Sequence, residues 1–321
     1  MSWPTKGALH PMLEREQPWA AWRGQVAFCR VAGGLRPAGR HPRPARTTVK
    51  KKTFILRALY WIRDLRSAAL FRALRQHCRG SVLDVGGWDF YLTALNKGVP
   101  FQRWTVLEMS HAKAAGSPER GIRFVVGDGC RTGFRDGSFD TVLSIQVLEH
   151  SFEPLLMISE MCRVLRDEGF LILLVPQTST LHMAPHHYYN FTRFFLEEAM
   201  RQNDMRIIEL TPLGGVWSSM ASHLVYFFFQ SIRFHGMSTK ECRRNIAFYL
   251  LFPFMVVFIG ITLPLCLIFA LGDLAEEPNN HLVVACKERV SRDDRAQCRA
   301  PSEAATSAGG KEISGEVEHA G

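Results

Sequence analysis

Cysteine pairs, a leading apolar run and two glycines of one telling turn are all missing from this sequence. The eight cysteines lie apart, with no Cys-x-x-Cys pair and no close His/Cys group. That scatter excludes a disulfide framework, gives no expectation of a metal site, and suits a reducing compartment. The first residues lack the apolar stretch of roughly 7–15 residues on which a secretory signal depends. The Arg-rich leader shows no interleaving of basic and aromatic residues of the kind found in single-strand-binding grooves, so no nucleic-acid partner is expected. A net positive charge is also missing from most of the chain. Eleven Lys/Arg against two Glu in residues 1–52 carry the whole net charge of +9, and the remainder balances. Rich in Pro, Gly and Arg and without apolar period, residues 1–52 read as a disordered basic leader. Residues 291–321 read as a disordered tail. One domain is expected between them, over 53–290.

Within that domain, helix-like and strand-like segments alternate. Residues 53–78 place apolar side chains at 55, 59, 62, 69, 70 and 74, a helical period punctuated by Arg57, Arg63, Arg66, Arg72 and Arg75. Short Val/Ile/Leu-rich runs follow at 81–85, 104–108, 122–126, 139–145 and 170–175, each bounded by Gly, Asp or Pro. Such runs suit buried parallel strands. Segments 88–97 and 153–166 have helical spacing, and the second helix is expected to stop at Gly169 as the next strand begins. The alternation predicts a doubly wound α/β sheet with its ligand site at the carboxyl ends of the strands.

Chemistry-bearing residues fall at those ends. The stretch VLDVGGWDFYL puts Asp84 at the close of the first strand and Gly86 and Gly87 in the turn after it. A helix N-terminus then faces the site with free N–H groups. Glu108 closes the second strand, where a carboxylate can accept both hydroxyls of a ribose. Asp128 and Gly129 follow the third, and Gln146, Glu149 and His150 follow the fourth.

In this order and spacing, the segments LDVGG, VLE, GDG, FRDGSFDTVLSIQVLEHSFEP and SEMCRVLRDEGFLILLVP resemble the class I S-adenosylmethionine-dependent methyltransferases, type 11 subgroup. The resemblance covers residues 80–212 and a late strand, HLVVACK. It implies a Rossmann-like sheet of about seven strands, the last antiparallel, and S-adenosylmethionine as cofactor. It places Asp84 at the amino-acid end of that cofactor, Glu108 at its ribose and Asp128 beside its adenine. Gly86, Gly87, Gly129 and Gln146 join the cofactor site. The family turn, Asp-x-Gly-x-Gly-x-Gly, departs here: its second and third glycines are Trp88 and Phe90. Side chains there either point away from the ligand or fill its pocket. The loop PQTSTLHMAPHHYYNFTRFF resembles a Pro-x-x-Tyr-x-x-(Phe/Tyr)-Thr lid of type 11 enzymes near glycan-biosynthesis genes. His187 and Tyr188 are the expected acceptor-binding residues, and His150 or His186 the expected base.

Residues 247–272 hold no charge and are long enough to cross a membrane. By the family topology the last strand returns to the sheet, so a single crossing would separate it from its partners. Half the segment, about 13 residues at 1.5 Å each, reaches only ~20 Å, short of a core of about 30 Å. A shallow hairpin or interfacial helix pair is therefore expected, inside an insertion of about 216–272. The reading is a methyltransferase on the cytoplasmic side of the membrane, peripheral or monotopic. Its acceptor is a small molecule, a glycan or a lipid-linked envelope intermediate. The other class is a non-catalytic scaffold of the same fold, and cofactor binding separates the two.

Overall fold

The computed structural model describes residues 67–110, 121–233 and 244–289. The basic leader, most of the arginine-punctuated first helix, Arg243 and the tail at 291–321 lie outside the described residues. A helix at 67–77 (α1) leads into β1 (Ser81–Val85), followed by α2 (Phe90–Asn96), β2 (Arg103–Glu108), β3 (Ile122–Val126) and β4 (Phe139–Ile145). A 3-10 turn (Leu148–His150) precedes α3 (Pro154–Val164) and β5 (Leu165–Pro176). The chain continues through α4 (Arg193–Gln202), β6 (Met205–Leu213), α5 (Val216–Ser231), α6 (Ile246–Phe269) and β7 (Asn280–Lys287).

The seven strands form one sheet in the order β3-β2-β1-β4-β5-β7-β6. β7 runs antiparallel to both β5 and β6 and slots between them; the described pairs among β1 to β5 are parallel. This is the expected order, reversed at β1/β4, which opens a crevice at the strand ends there. Both faces are covered. Leu70, Phe71 and Leu74 of α1 and Tyr91 and Ala94 of α2 pack with Val82, Trp104 and Val106 on one. Met157, Ile158 and Met161 of α3 and Leu196 and Met200 of α4 pack with Leu83, Leu107 and Leu173 on the other.

Two local expectations are corrected. Helix α3 does not run on toward Gly169: β5 begins at Leu165, which pairs with Phe139 before a register break between Phe139 and Thr141. Strand pairing overrides the helical spacing there, and Glu168 takes a left-handed φ of 62° to keep the chain extended around the irregularity. The apolar segment does not fold back on itself either. Residues Ile246–Phe269 form one helix of 24 residues, with Pro253 and Pro264 inside it. At ~1.5 Å per residue it is about 36 Å long. A turn within it would leave backbone groups with few polar side chains to bond, whereas a helix satisfies most of them internally. The other leg of the pair is instead α5, which leaves the sheet after β6 and packs along α6, Phe227 meeting Phe248 with ring centroids 6.5 Å apart. Asp273, just past α6, accepts N–H bonds from Trp217 (2.8 Å) and Ser218 (2.9 Å) at the start of α5. The pair is thus closed at the sheet.

Candidate functional site

The glycine turn after β1 keeps its form with two of its glycines replaced. Gly86 has a φ of 74°, and a Cβ there would lie 2.6 Å from the Val147 side chain. Gly87 lies directly on Asp84: a Cβ would stand 1.9 Å from its carboxylate oxygen. Trp88, at a family glycine position, holds a φ of 42°. The left-handed backbone of the turn is retained while the residue suited to it is replaced. Trp88 then donates its backbone N–H to Glu108 Oε1 at 2.9 Å, joining the turn to the end of β2. Phe90 points into the core, its ring stacked with Phe71 at 6.1 Å and tilted against Trp104 at 6.4 Å. It therefore does not fill the cofactor pocket.

Asp84 is fully buried under this turn. Its Oδ2 accepts a bond from Trp104 Nε1–H at 3.1 Å, and among the described residues its Oδ1 has no hydrogen-bond partner. Burial pushes its carboxyl up to about 8; the Trp104 bond opposes that rise, and the nearby Glu108 charge adds to it. An orphaned carboxylate oxygen beneath two glycines that no side chain can replace is what a cationic amino-acid moiety pressed against backbone would use. Glu108 stands within the same crevice, nearly buried. These residues fit S-adenosylmethionine.

The other expected cofactor residues are spread along the same edge. Asp128 Oδ1 accepts the Cys130 N–H at 2.8 Å and so shapes the turn after β3. Gly129 packs where a Cβ would stand 3.0 Å from Val85. Gln146, at a φ of 56°, gives its side-chain N–H to Asn280 Oδ1 at 2.8 Å. It ties the end of β4 to the start of β7.

Beyond β4 and β5, the loop from Gln177 to Thr192 is pinned by backbone bonds, from Tyr188 N–H to Glu149 O (2.9 Å) and from Phe191 N–H to Pro176 O (2.7 Å). The lid-like motif divides by role. Phe191 is buried in the core, and the Thr192 side chain caps α4 by accepting the Phe195 N–H. Tyr188 stays open, its ring edge-on to Phe152 at 5.4 Å and its hydroxyl 3.1 Å from His186 Nδ1. His187 turns inward, its Nδ1 accepting the His182 N–H at 3.3 Å.

His150 stands with these residues. Its Nδ1 lies 2.6 Å from the His186 carbonyl, which can only accept, so Nδ1 carries the proton. Burial lowers its pKa to about 4, leaving a neutral ring with a lone pair on Nε2. His182 bonds the Thr180 carbonyl through Nδ1 in the same way, at 2.9 Å. The rings of His150 and His182 stand 5.0 Å apart, and those of His182 and His187 4.3 Å apart. Glu149 beside them is fully buried, with a carboxyl pushed up to about 8 by desolvation.

Sequence reasoning missed three of these residues. Trp104 read as a core aromatic, Glu149 as one more residue of a motif, and His182 as one of several loop histidines. A strand-end Trp one strand over from a buried Asp is a usable signal for the first. The pairing of Glu149 with His182 has none, because the whole of α3 and β5 separates them in the chain.

Residues 89–173 match the model of a family described as methyltransferase domain, type 11. No curated protein matches the chain. Among solved structures, similar chains include one from the complex of the Haloferax volcanii Trm112 methyltransferase activator with a methyltransferase. It is 16% identical over 72% of this chain and 93% of that one, with a TM-score of 0.48. Haemonchus contortus phosphoethanolamine N-methyltransferase 2, solved with S-adenosyl-L-methionine, is 16% identical over 70% of this chain and 53% of that one, at 0.46. A Burkholderia thailandensis 1,6-didemethyltoxoflavin-N1-methyltransferase, solved with S-adenosylhomocysteine, is 15% identical over 72% and 81%, at 0.43.

Proposed function

We propose that this chain, whose residues 89–173 match a methyltransferase-domain family model, transfers a methyl group from S-adenosylmethionine to a glycan or lipid-linked envelope intermediate at the cytoplasmic membrane face. The observation that carries this reading is the bond between an uncovered apolar helix pair and the acceptor loop. Only 11% of the most apolar window of α6 is buried, and Phe254, Val257, Phe258 and Ile261 each expose 60% or more of their surface. Water does not favour such a surface, and lipid does. Its partner helix α5 grips the loop directly. Tyr226 donates its hydroxyl to Leu181 O at 2.8 Å, and Ser219 and Thr178 share a bond of 2.9 Å. A membrane-seated pair would therefore hold the acceptor side of the crevice against the lipid surface.

S-adenosylmethionine supplies an already activated methyl group, so the protein's task is mainly alignment. Glu108 accepts the ribose hydroxyls. Gly86 and Gly87 admit the methionine moiety to the backbone, over Asp84. Asp128 and Gly129 border the adenine, and Gln146 fixes the β4 edge between cofactor and acceptor. Tyr188, on the open rim with Phe152, meets the acceptor, and His187 holds the loop behind it.

The test uses the full chain with methyl-labelled S-adenosylmethionine and a lipid extract of membranes from the source cells. Label entering the solvent-extractable, acid-labile glycolipid fraction is the expected result. Label found only in water-soluble products would overturn the lipid-linked acceptor. Failure to bind S-adenosylhomocysteine by titration calorimetry would instead favour a scaffold.

A further inference from the structure

Cysteine spacing gives no metal site, but folding gathers other ligands. Glu149, His150 and His182 each point one ligand atom into a common space, and these atoms all lie within 4.8 Å of one another. His150 Nε2 stands 3.9 Å from Glu149 Oε1. We propose that Glu149, His150 and His182 bind one divalent transition-metal ion, of the zinc, iron or manganese class, at the acceptor side of the crevice.

Three observations converge on this. Both carboxylate oxygens of Glu149 are buried and have no hydrogen-bond partner among the described residues. A side chain wholly removed from water in that state is costly to the fold unless a cation meets it. The histidines are set as ligands are. Each gives its Nδ1–H to a backbone carbonyl, His150 to His186 and His182 to Thr180, which fixes the tautomer and turns the Nε2 lone pair inward. Finally, two imidazoles and one carboxylate form a donor set that such ions favour over magnesium or calcium. The present spacing is wider than bound ligands keep, and binding would draw the three side chains together. His187 is not a ligand in this arrangement. Its Nδ1 accepts the His182 N–H, so it positions the loop that carries the third donor.

Three protein ligands leave coordination positions open for an oxygen atom. His150 retains some exposure, which gives the ion a way in, and Tyr188, whose N–H bonds the Glu149 carbonyl, lies on the same rim. An acceptor hydroxyl bound at an open position would lose its proton more readily than in water. This role rests on the methyl-transfer reading above; metal binding itself does not.

The test is calorimetric titration of the full chain in detergent, freed of metal by chelator, with zinc, and with cobalt followed by its visible absorption. One equivalent is expected to bind, with cobalt bands of a nitrogen- and oxygen-ligated ion. Glu149→Gln keeps the size of the side chain and removes its charge, and it should weaken binding at least tenfold while the melting temperature holds or rises. His182→Ala should weaken binding similarly, and His223→Ala, on α5, should leave it unchanged. No stoichiometric binding, or binding indifferent to both Glu149→Gln and His182→Ala, would overturn the proposal. S-adenosylhomocysteine titrated in parallel reads the cofactor site separately, so failure of one reading is not mistaken for failure of the other.

Discussion

The backbone N–H of Trp88 points at Glu108 Oε1 from 2.9 Å, bridging the carboxyl ends of the neighbouring strands β1 and β2. A residue that departs from the family turn is thus bonded to the carboxylate expected to hold the ribose. The glycine turn and the second strand form one unit before any cofactor enters.

Removing that carboxylate should be felt at the cofactor. Hydrogen bonds to charged groups contribute about 1.5–3 kcal/mol each. Glu108→Ala is expected to lower the affinity for S-adenosylhomocysteine at least tenfold, by titration calorimetry, with the circular dichroism spectrum retained. Unchanged affinity would remove Glu108 from the site.

Trp88 tests the conformation of the turn. A non-glycine residue with left-handed φ costs roughly 1–2 kcal/mol. Trp88→Gly should therefore keep both the fold and cofactor affinity to within a few fold. Trp88→Val places a β-branched residue at the same φ of 42°, and urea unfolding should find it less stable than Trp88→Gly by about 1–3 kcal/mol. Equal stability of the two would mean the turn relaxes when the indole is lost.

Asp84 makes stability depend on pH. Its folded-state value of about 8 lies above its ordinary 3.8. Between those values the native chain holds a proton that the unfolded chain has released. Stability is therefore full below about pH 4 and declines as pH rises toward 8, at no more than ~1.4 kcal/mol per pH unit from this group. Glu149 acts in the same sense. Subtracting the urea-derived stabilities of Asp84→Asn from those of the wild type isolates the Asp84 share. A difference that does not change between pH 5 and 8 would contradict the raised value.

The two sides of α6 should separate anchoring from folding. Phe254, Val257, Phe258 and Ile261 face outward, while Ile259 and Cys266 are buried. Exchanging the outward four for Ser should reduce flotation with anionic liposomes and leave the sheet's thermal transition in place, since each apolar side chain withdrawn from water contributes about 1.5–3 kcal/mol. Ile259→Ser should do the reverse, loosening the helix pair. Undiminished flotation of the fourfold variant would place the membrane contact elsewhere.

Asp273 closes the base of the pair, bonding the N–H groups of Trp217 and Ser218 and the Ser218 hydroxyl. Loss of a side-chain cap costs about 0.5–2 kcal/mol. Asp273→Ala should speed amide hydrogen exchange at Trp217 and Ser218 more than at β5. Uniform acceleration across the sheet would instead mark a global loss of stability.

Much of this was legible in the residues. Apolar runs such as SVLDV and FDTVLSI declared buried strands because a parallel sheet has no wet face to encode. The antiparallel β7 came from family likeness, since nothing in HLVVACK records its direction. The start of β5 was hidden because its register is set by Phe139, well upstream. The apolar segment showed its length and lack of charge but not its partner leg. That leg, α5, carries Ser218, Ser219, Ser222, His223 and Gln230 and does not read as a companion to so greasy a helix. At the site, Asp84, Gly87 and Glu108 were visible from strand-end position. The inward turn of His187 and the meeting of Glu149 with His182 depend on loop bonds that no local pattern specifies.

The helix pair is an internal excursion: the chain leaves the sheet through β6 and re-enters it through β7, and those two strands are neighbours joined along their length. An anchor hung from a terminus behaves like a swivel, but one with two adjacent footings behaves like a bracket. On the membrane proposed above, such a bracket would fix the tilt of the crevice and its height over the lipid. Reach would then select as well as chemistry does, because an acceptor whose reactive atom sat too near that surface, or too far from it, would never come into line. Lengthening one footing by a residue or two would change which acceptors are used while altering none of the groups that touch them.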